Sequence, residues 1–171
     1  LAGAEIELVS LAAREYLLKR ALDTYLSSPV GSGIHYVIID CPPSLGLLTI
    51  NAFVAAKEVL LPIQCEYYAL EGVSHLVRNI DLVRAHLNPD LVLSTIVLTM
   101  FDRRTNLAQQ VVDDVKTHFG QATLNTVIPR SVRVSEAPSY GQSVLAYDPA
   151  SPGAVSYQEA ALEIAGRGAP H

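Results

Sequence analysis

The sequence contains no tryptophan, one methionine and two cysteines among its 171 residues. Cys41 and Cys65 belong to no Cys-x-x-Cys pair and no His/Cys cluster, which argues against a zinc site and provides no disulfide framework. None of the apolar runs approaches the roughly 20 residues that a membrane-spanning helix needs. These absences favour a soluble protein of a reducing compartment, and we expect a cytoplasmic one.

The phosphate-binding loop of P-loop proteins is also absent. That loop combines a glycine-rich turn, whose N–H groups surround phosphate, with a Gly-Lys pair. The lysines, which are Lys19, Lys57 and Lys116, follow Leu, Ala and Val, so the sequence has no such pair. It begins at Leu1 without a signal-peptide pattern, and we interpret it as lacking the natural amino terminus.

The charge of the chain is unevenly distributed. The formal net charge is −5 at pH 7, which argues against a surface that is basic throughout. The segment 103–133 nevertheless carries five basic and two acidic residues, a local charge of +3. The chain therefore has one locally basic stretch on an otherwise acidic background.

Helical and strand patterns of apolar residues alternate along the chain. An amphipathic helix is predicted from Ile6 through Arg20, ending before Ser27. Residues 35–40 form an apolar run without polar alternation, which is typical of a strand buried on both faces of a parallel sheet. The alternation predicts an α/β protein with a doubly wound, mostly parallel sheet and helices on both faces. The remaining predicted elements are helices at 47–56, 69–87 and 106–119, strands at 58–63, 91–99 and 123–128, an irregular stretch at 129–149, and a last helix capped by Ser151.

Asp40 stands where such sheets bind ligands, at the carboxyl end of a predicted strand. The residues after it, Cys-Pro-Pro-Ser-Leu-Gly, predict a proline-stiffened loop that ends at a glycine. A carboxylate in this position can hold the water shell of a Mg²⁺ ion that bridges nucleotide phosphates. Alternatively, Asp40 caps the next helix or stabilises a turn, and spacing alone leaves both interpretations open.

The segment 36–45, Tyr-Val-Ile-Ile-Asp-Cys-Pro-Pro-Ser-Leu, resembles the Walker B and switch II segment of the ParA/Soj ATPases. This deviant-Walker-A group also contains the MinD and nitrogenase iron proteins. The combination of motifs is specific, and the resemblance extends from Leu1 almost to Ala165. It implies that residues 1–166 are the carboxy-terminal two-thirds of one ParA-type domain, a P-loop NTPase fold without its first βα unit, followed by a tail at 167–171. Further similar segments lie at 62–72, 98–107, 127–141 and 147–149.

The resemblance implies a switch that binds ATP and Mg²⁺, forms a homodimer around nucleotide and is reset by slow hydrolysis. Asp40 would then bind Mg²⁺ through water, and the phosphate loop would lie upstream of Leu1. Phosphoryl transfer depends on positioning the phosphates and neutralising their charge. We therefore expect no catalytic residue and no ATPase activity in these 171 residues alone. The implied switch II residues are Pro42, Pro43, Ser44 and Gly46.

The resemblance also implies a site for the nucleotide base after two late strands, at Met100, Pro129, Arg130 and Ser131. Soj-like chains often carry Asn where this chain has Ser131. We therefore expect a backbone contact with adenine at this position and do not count on one from the side chain. Alternatively, these residues form an ordinary exit from a strand, stiffened by a proline.

Arg104 and Arg133 match arginines that bind DNA without reading its sequence in Soj-like proteins, and Arg103 belongs to the same basic segment. Such contacts would neutralise phosphates and depend strongly on salt. Each arginine is alternatively a solvated or ion-paired surface residue. The resemblance further implies a ParB-like activator and a cytoplasmic, nucleoid-associated protein.

Two other functions are alternatives to a working DNA-segregation ATPase. A MinD-like membrane-positioning ATPase would need a basic amphipathic carboxy-terminal helix. The last predicted helix instead carries Glu159 and Glu163 and no lysine, which argues against membrane binding. The remaining alternative is a non-catalytic fragment that keeps interaction surfaces only.

Overall fold

The computed structural model describes residues 2–42, 46–67 and 69–168. These residues form an α/β structure with a parallel sheet, which confirms the fold class that the sequence predicts. The chain divides into two compact units. Unit 1 contains Leu1–Val59 and Leu76–Val92, and unit 2 contains Leu60–His75 and Leu93–His171.

The sheet has three strands in the described residues: β1 (Glu58–Gln64), β2 (Val92–Phe101) and β3 (Thr123–Pro129), in that order. β2 and β3 run parallel. The central strand buries the consecutive residues Ile96, Val97 and Leu98, whose side chains alternate between the two faces, as expected for a strand with cover on both faces. All three strands were predicted, and each extends one or two residues beyond its predicted end.

Helix α5 (Asn106–Phe119) connects β2 to β3 with the bounds that the sequence predicts. It begins at Thr105, whose hydroxyl accepts a hydrogen bond from the Ala108 N–H and so satisfies a free donor of the first turn. Val111 and Val115 are buried four residues apart on one face. Gly120 ends the helix in a conformation with a φ of +49°, which glycine adopts at little cost.

Helix α8 (Pro152–Arg167) packs against the edge strand β3. The predicted cap is confirmed, because the Ser151 hydroxyl accepts a hydrogen bond from the Ala154 N–H. Ala160 and Ile164 of this helix pack with Leu124 of β3. The helix thus covers the core that β2 and β3 share.

Glu163 of α8 covers backbone donors of β3. Its carboxylate accepts hydrogen bonds from the N–H groups of Asn125 at 2.8 Å and Thr126 at 3.0 Å, and Arg167 donates to it at 2.9 Å. Unpaired N–H groups on an edge strand invite pairing with another chain. Burial raises the pKa of Glu163, but these donors outweigh it and lower the pKa to about 2.

Replacing Glu163 by Gln should lower the free energy of unfolding by about 1 kcal/mol at pH 7, because a charge-assisted acceptor is lost from a partly exposed site. The folded pKa of about 2 lies below the ordinary value of 4.5, so the stabilisation is complete above pH 4.5 and disappears as the pH falls towards 2. Urea unfolding at several pH values measures this difference. Glu159→Gln, an exposed position on the same helix, should show no such pH dependence.

Unit 1 begins with two helices where the sequence predicts one. α1 (Ala2–Val9) and α2 (Leu17–Leu26) are separated by a turn in which Ala13 has a φ of +49° and residues 14–16 form one turn of 3₁₀ helix. The single predicted helix is therefore wrong. The Ser10 hydroxyl bonds the Glu7 carbonyl and so competes with the helical hydrogen bonds at that point. The predicted end before Ser27 is confirmed.

Two asparagines hold the other elements of unit 1 together. α3 (Leu47–Ala55) contains the buried Asn51, whose amide donates to the Arg14 carbonyl and accepts from the Leu18 N–H. After α4 (Ala69–His86), the Asn88 amide donates to carbonyls at the end of α3. Both side chains supply hydrogen bonds that the helices leave unmade.

The predicted strand at 35–40 is wrong. Residues 34–42 form no regular secondary structure, and the side chains of Tyr36 and Ile38 are 84% and 92% exposed. The residue types favour a buried strand, but such a strand also needs a hydrogen-bonded neighbour and cover on its faces. The residues that the structure describes provide neither to this segment.

The stretch 129–149, predicted to be irregular, contains α6 (Val132–Glu136), a 3₁₀ turn at Ala137–Tyr140 and α7 (Val144–Tyr147). The buried Ala137, Val144 and Ala154 pack together and join this stretch to α8. Because each helix has only one or two turns, its apolar pattern is too short to recognise in the sequence.

Candidate functional site

The carboxyl ends of all three strands lie side by side in unit 2. The Cys65 N–H donates to the Thr99 carbonyl at 2.9 Å, which places the end of β1 beside β2. Phe101 pairs with Pro129, and the Arg130 N–H donates to the Phe101 carbonyl at 3.0 Å. The structure thus brings the residues after β2 and after β3 to one edge of the sheet, where α/β proteins bind ligands.

Met100 occupies a strained position at this edge. It has a φ of +55°, in the left-handed region that residues other than glycine seldom adopt. The pairing of β2 with β3 is irregular between Leu98 and Phe101, so the strain coincides with a bulge in the strand. Strained backbone of this kind is concentrated at binding sites, where the surrounding structure fixes it.

Pro129, Arg130 and Ser131 form the exit from β3. Pro129 is half-buried and ends the strand, and Arg130 is exposed with its guanidinium 3.7 Å from Glu66. Ser131 precedes α6, but its hydroxyl makes no capping hydrogen bond to that helix. The Ser131 hydroxyl is therefore available to a polar ligand.

Gly153 in the first turn of α8 sets the position of this exit. A Cβ atom at Gly153 would lie 2.6 Å from Cγ2 of Val134 and 3.2 Å from Cβ and Oγ of Ser131. Contacts below 3.0 Å do not occur in folded proteins without a shift of the atoms. Glycine thus allows the first turn of α8 to pack directly against Ser131 in the exit from β3.

Replacing Gly153 by Ala should lower the free energy of unfolding by about 1–2 kcal/mol, since the new methyl group must displace Val134 or Ser131. Gly166 lies in the same helix with open space around it, so Gly166→Ala should instead stabilise the helix by up to about 1 kcal/mol. Urea unfolding compares the two variants. Equal effects of the two substitutions would contradict the close packing.

Arg104 follows β2 and is held by Asp102. Its Nε donates to Oδ1 at 2.9 Å and its Nη2 donates to Oδ2 at 2.7 Å, while its backbone N–H also donates to Oδ1. These hydrogen bonds keep the pKa of Asp102 well below its usual range. The charge of Arg130 lowers this pKa further, which places Arg130 close enough for the two groups to interact.

Arg133 in α6 is held between two carboxylates. Its Nη1 lies 3.2 Å from Glu136 and its Nε lies 3.3 Å from Asp148. Beside it, the rings of Tyr140 and Tyr147 stack with their centroids 5.0 Å apart. Among the residues that the structure describes, Arg103 forms no ion pair and is exposed.

Asp40 lies in unit 1 and is exposed. Within the described ranges its carboxylate has no ion pair, so its oxygens can accept hydrogen bonds from the water ligands of a hydrated cation. One or two carboxylates suffice for Mg²⁺, which keeps much of its water shell, and Asp40 therefore fits the expected role. No group of three or more His, Cys, Asp or Glu side chains suited to a metal occurs in the described residues.

The neighbouring loop is only partly described. Pro42 is half-buried, and Gly46 immediately precedes α3. The switch II residues Pro43 and Ser44 lie outside the described residues. Burial, together with the charge of Asp40, raises the pKa of the Cys41 thiol, so this cysteine is largely protonated at neutral pH.

Sequence reasoning did not identify the acidic partners of the arginines. Asp102 lies just before the basic segment and Glu136 and Asp148 lie beyond it, so counting charge over 103–133 omitted all three. The spacing Asp-x-Arg at 102–104 was the available signal, because an Asp at the start of a turn often accepts a hydrogen bond two residues later. Gly153 had no comparable signal.

Comparison with known proteins gives consistent matches along the chain. A family model described as an AAA domain matches residues 1–93. The chain is 54% identical over 168 residues to the sporulation initiation inhibitor protein Soj of Bacillus subtilis, covering 98% of the chain and 64% of that protein. It is 50% identical over 170 residues to the chromosome partitioning protein ParA of Myxococcus xanthus, covering 99% of the chain and 58% of that protein.

Solved structures agree with these matches. A Mycobacterium smegmatis protein described as cobyrinic acid a,c-diamide synthase, solved with ADP and magnesium, is 39% identical with a TM-score of 0.72, covering 92% of this chain and 55% of that one. The cell division ATPase MinD of Pyrococcus furiosus has the same fold, with a TM-score of 0.69 at 23% identity over 90% of this chain and 59% of that one. In the described part of the chain, no helix is both long and apolar enough to cross a membrane.

Proposed function

This chain belongs to the ParA/Soj family of chromosome-partitioning proteins, and we propose that it is part of an ATP-dependent switch for DNA segregation. The observation that carries the proposal is 54% identity to a Soj protein along 98% of the chain. The joining of the β2 and β3 exits at one edge supports it further. Since the chain spans 58–64% of these two relatives, the activity proposed is that of the longer protein.

The proposed roles divide between the two units. In unit 1, Asp40 would accept hydrogen bonds from the water ligands of the Mg²⁺ ion that accompanies ATP. In unit 2, Met100 and the exit Pro129–Ser131 bind the adenine base, with polar contacts from the backbone after β3. The glycine-rich loop and lysine that bind the phosphates are not among these 171 residues, so they must be supplied by a further segment.

The proposed output of the switch is DNA binding. Arg103, Arg104 and Arg133 neutralise DNA phosphates without reading bases. A few arginines bind weakly, and a homodimer formed around ATP would double the surface and strengthen retention through avidity. A ParB-like partner would then stimulate hydrolysis and reset the switch.

Retention on DNA-cellulose tests this proposal with two proteins. One is the 171-residue chain alone, and the other is the joined protein, in which the phosphate-binding segment of the Bacillus subtilis relative precedes Leu1. We expect ATP to increase the DNA retention of the joined protein and to leave that of the chain unchanged. ATP-independent retention of both proteins would contradict the switch and favour a passive interaction fragment.

A further inference from the structure

The four arginines that follow β2 and β3 are balanced by four carboxylates. We call Arg103, Arg104, Arg130 and Arg133 the arginine patch. Three of its members each lie within 4.0 Å of at least one carboxylate oxygen. The carboxylates involved are Glu66, Asp102, Glu136 and Asp148. The patch is therefore close to neutral in the folded chain, although the sequence around it is basic.

The pairing of Arg104 uses only one edge of its guanidinium group. Asp102 occupies the Nε–Nη2 edge in a bidentate contact, which leaves Nη1 for another acceptor. The Arg104 side chain is 83% exposed, whereas that of Asp102 is 18% exposed. A DNA phosphate can thus reach Arg104, but it meets the negative charge of Asp102 at the same place.

The pairing of Arg133 is less favourable to an incoming phosphate. Glu136 and Asp148 lie near opposite parts of its guanidinium group, so the local charge of the three groups is −1. Half of the Arg133 side chain remains exposed, at 55%. A phosphate must therefore compete with two carboxylates for this arginine.

We propose that these carboxylates, Asp102 and Glu136 above all, keep the affinity of one copy of the chain for DNA phosphates low. The inference rests on the proposed DNA binding and states how that binding is regulated. Each carboxylate subtracts from the attraction that its arginine exerts on a phosphate. A single copy then binds DNA too weakly to be retained, and retention depends on joining two copies.

Two effects of each carboxylate oppose one another. It repels phosphate, and it also holds the arginine in one conformation, which reduces the entropy that the side chain loses on binding. For an exposed pair the second effect is small, because such a pair contributes little to stability and so does not hold the arginine in one conformation all of the time. Repulsion at about 4–5 Å in water changes an affinity by about fivefold at low salt. Repulsion is therefore the larger effect, and removing the carboxylate should strengthen phosphate binding.

Asp102→Asn and Glu136→Gln test the proposal in the 171-residue chain. Asn at 102 keeps an oxygen that accepts the Arg104 backbone N–H, so the turn is preserved while the charge is removed. Asp113→Asn is the matched control, because it makes the same change of charge at an exposed position on α5. The readouts are the Kd for a fluorescent DNA duplex at several salt concentrations and the salt concentration that elutes each variant from heparin-agarose.

We expect each patch variant to bind the duplex about three- to fivefold more tightly than the unchanged chain in low salt, with the gain decreasing as salt rises. Asp113→Asn should change the Kd by less than about half of the change expected for either patch variant. Unchanged or weaker binding by both patch variants would overturn the proposal. If no protein binds the duplex but the patch variants alone elute from heparin at higher salt, the carboxylates do weaken the attraction of the arginine patch for polyanions. In that case the proposed DNA binding is wrong.

Discussion

Replacing Asp40 by Ala in the joined protein should lower kcat for ATP hydrolysis by at least about 100-fold, the scale of losing one fixed electrostatic partner of the reaction. Without this carboxylate, the hydrated Mg²⁺ ion loses the protein oxygen that positions it against the phosphates. The side chain is exposed and has no ion pair in the described residues, so its loss should not unfold the protein. Steady-state ATPase assays measure the effect.

Asp23→Ala is the matched control for this substitution. Asp23 is also exposed in unit 1, where, among the described residues, it forms an ion pair with Lys19 on the surface of α2. The control should retain kcat within about twofold, since surface pairs of this kind contribute little. A similar loss of activity in both variants would refute the specific role of Asp40.

Replacing Asn88 by Asp should lower the free energy of unfolding by about 3 kcal/mol at pH 7. The Asn88 amide donates to the carbonyls of Phe53 at 2.9 Å and Ala56 at 2.7 Å, and lies 3.4 Å from that of Val54. A carboxylate has no hydrogen to donate, so its charge would face carbonyl oxygens at the negative end of α3. Urea unfolding measures the loss.

The pH dependence of this variant provides an internal check. A carboxyl group among carbonyl oxygens is more stable when protonated, so the destabilisation should decrease as the pH falls and the new side chain regains a donor. Asn106→Asp is the control, because Asn106 is exposed at the first position of α5, where a negative charge is favourable. A loss of stability as large in the control would contradict the capping role of Asn88.

The sequence was sufficient to predict the elements with long patterns and clear caps. α5 and α8 have their apolar residues at helical spacing and begin at Thr105 and Ser151, so local chemistry alone determines where they start. The three strands of the sheet were likewise predicted from short apolar runs. In these elements the local preference and the tertiary packing agree.

The failures occur where a local pattern depends on a distant partner. Residues 35–40 have the composition of a buried strand, but composition does not provide the neighbour that a strand requires. The helix breaks at Ala13 because this residue has a left-handed conformation. Glycine or asparagine usually indicates such a conformation in a sequence, and this position has neither. For the site, the strand exits were predictable, whereas the acids that pair with Arg133 come from two different turns and only the fold brings them together.

The net charge of the arginine patch likewise could not be predicted from the sequence. Segment counting gave +3 over residues 103–133, which indicates a basic surface. In the structure, Asp102 and Glu136 lie within 3.3 Å of arginine nitrogens from that segment. Electrostatic potential depends on distance in space, so the sum along the chain overestimates the attraction for phosphate.

The central claim is that this chain contributes two parts of an ATPase whose phosphate loop lies in another segment. These parts are Asp40, which binds the hydrated Mg²⁺ ion, and the exit from β3, which binds the base. ATP turnover by the purified 171-residue chain and by the joined protein, each with and without Asp40→Ala, tests it most directly. We expect turnover by the joined protein only. Turnover by the purified chain alone that disappears with Asp40→Ala would contradict it.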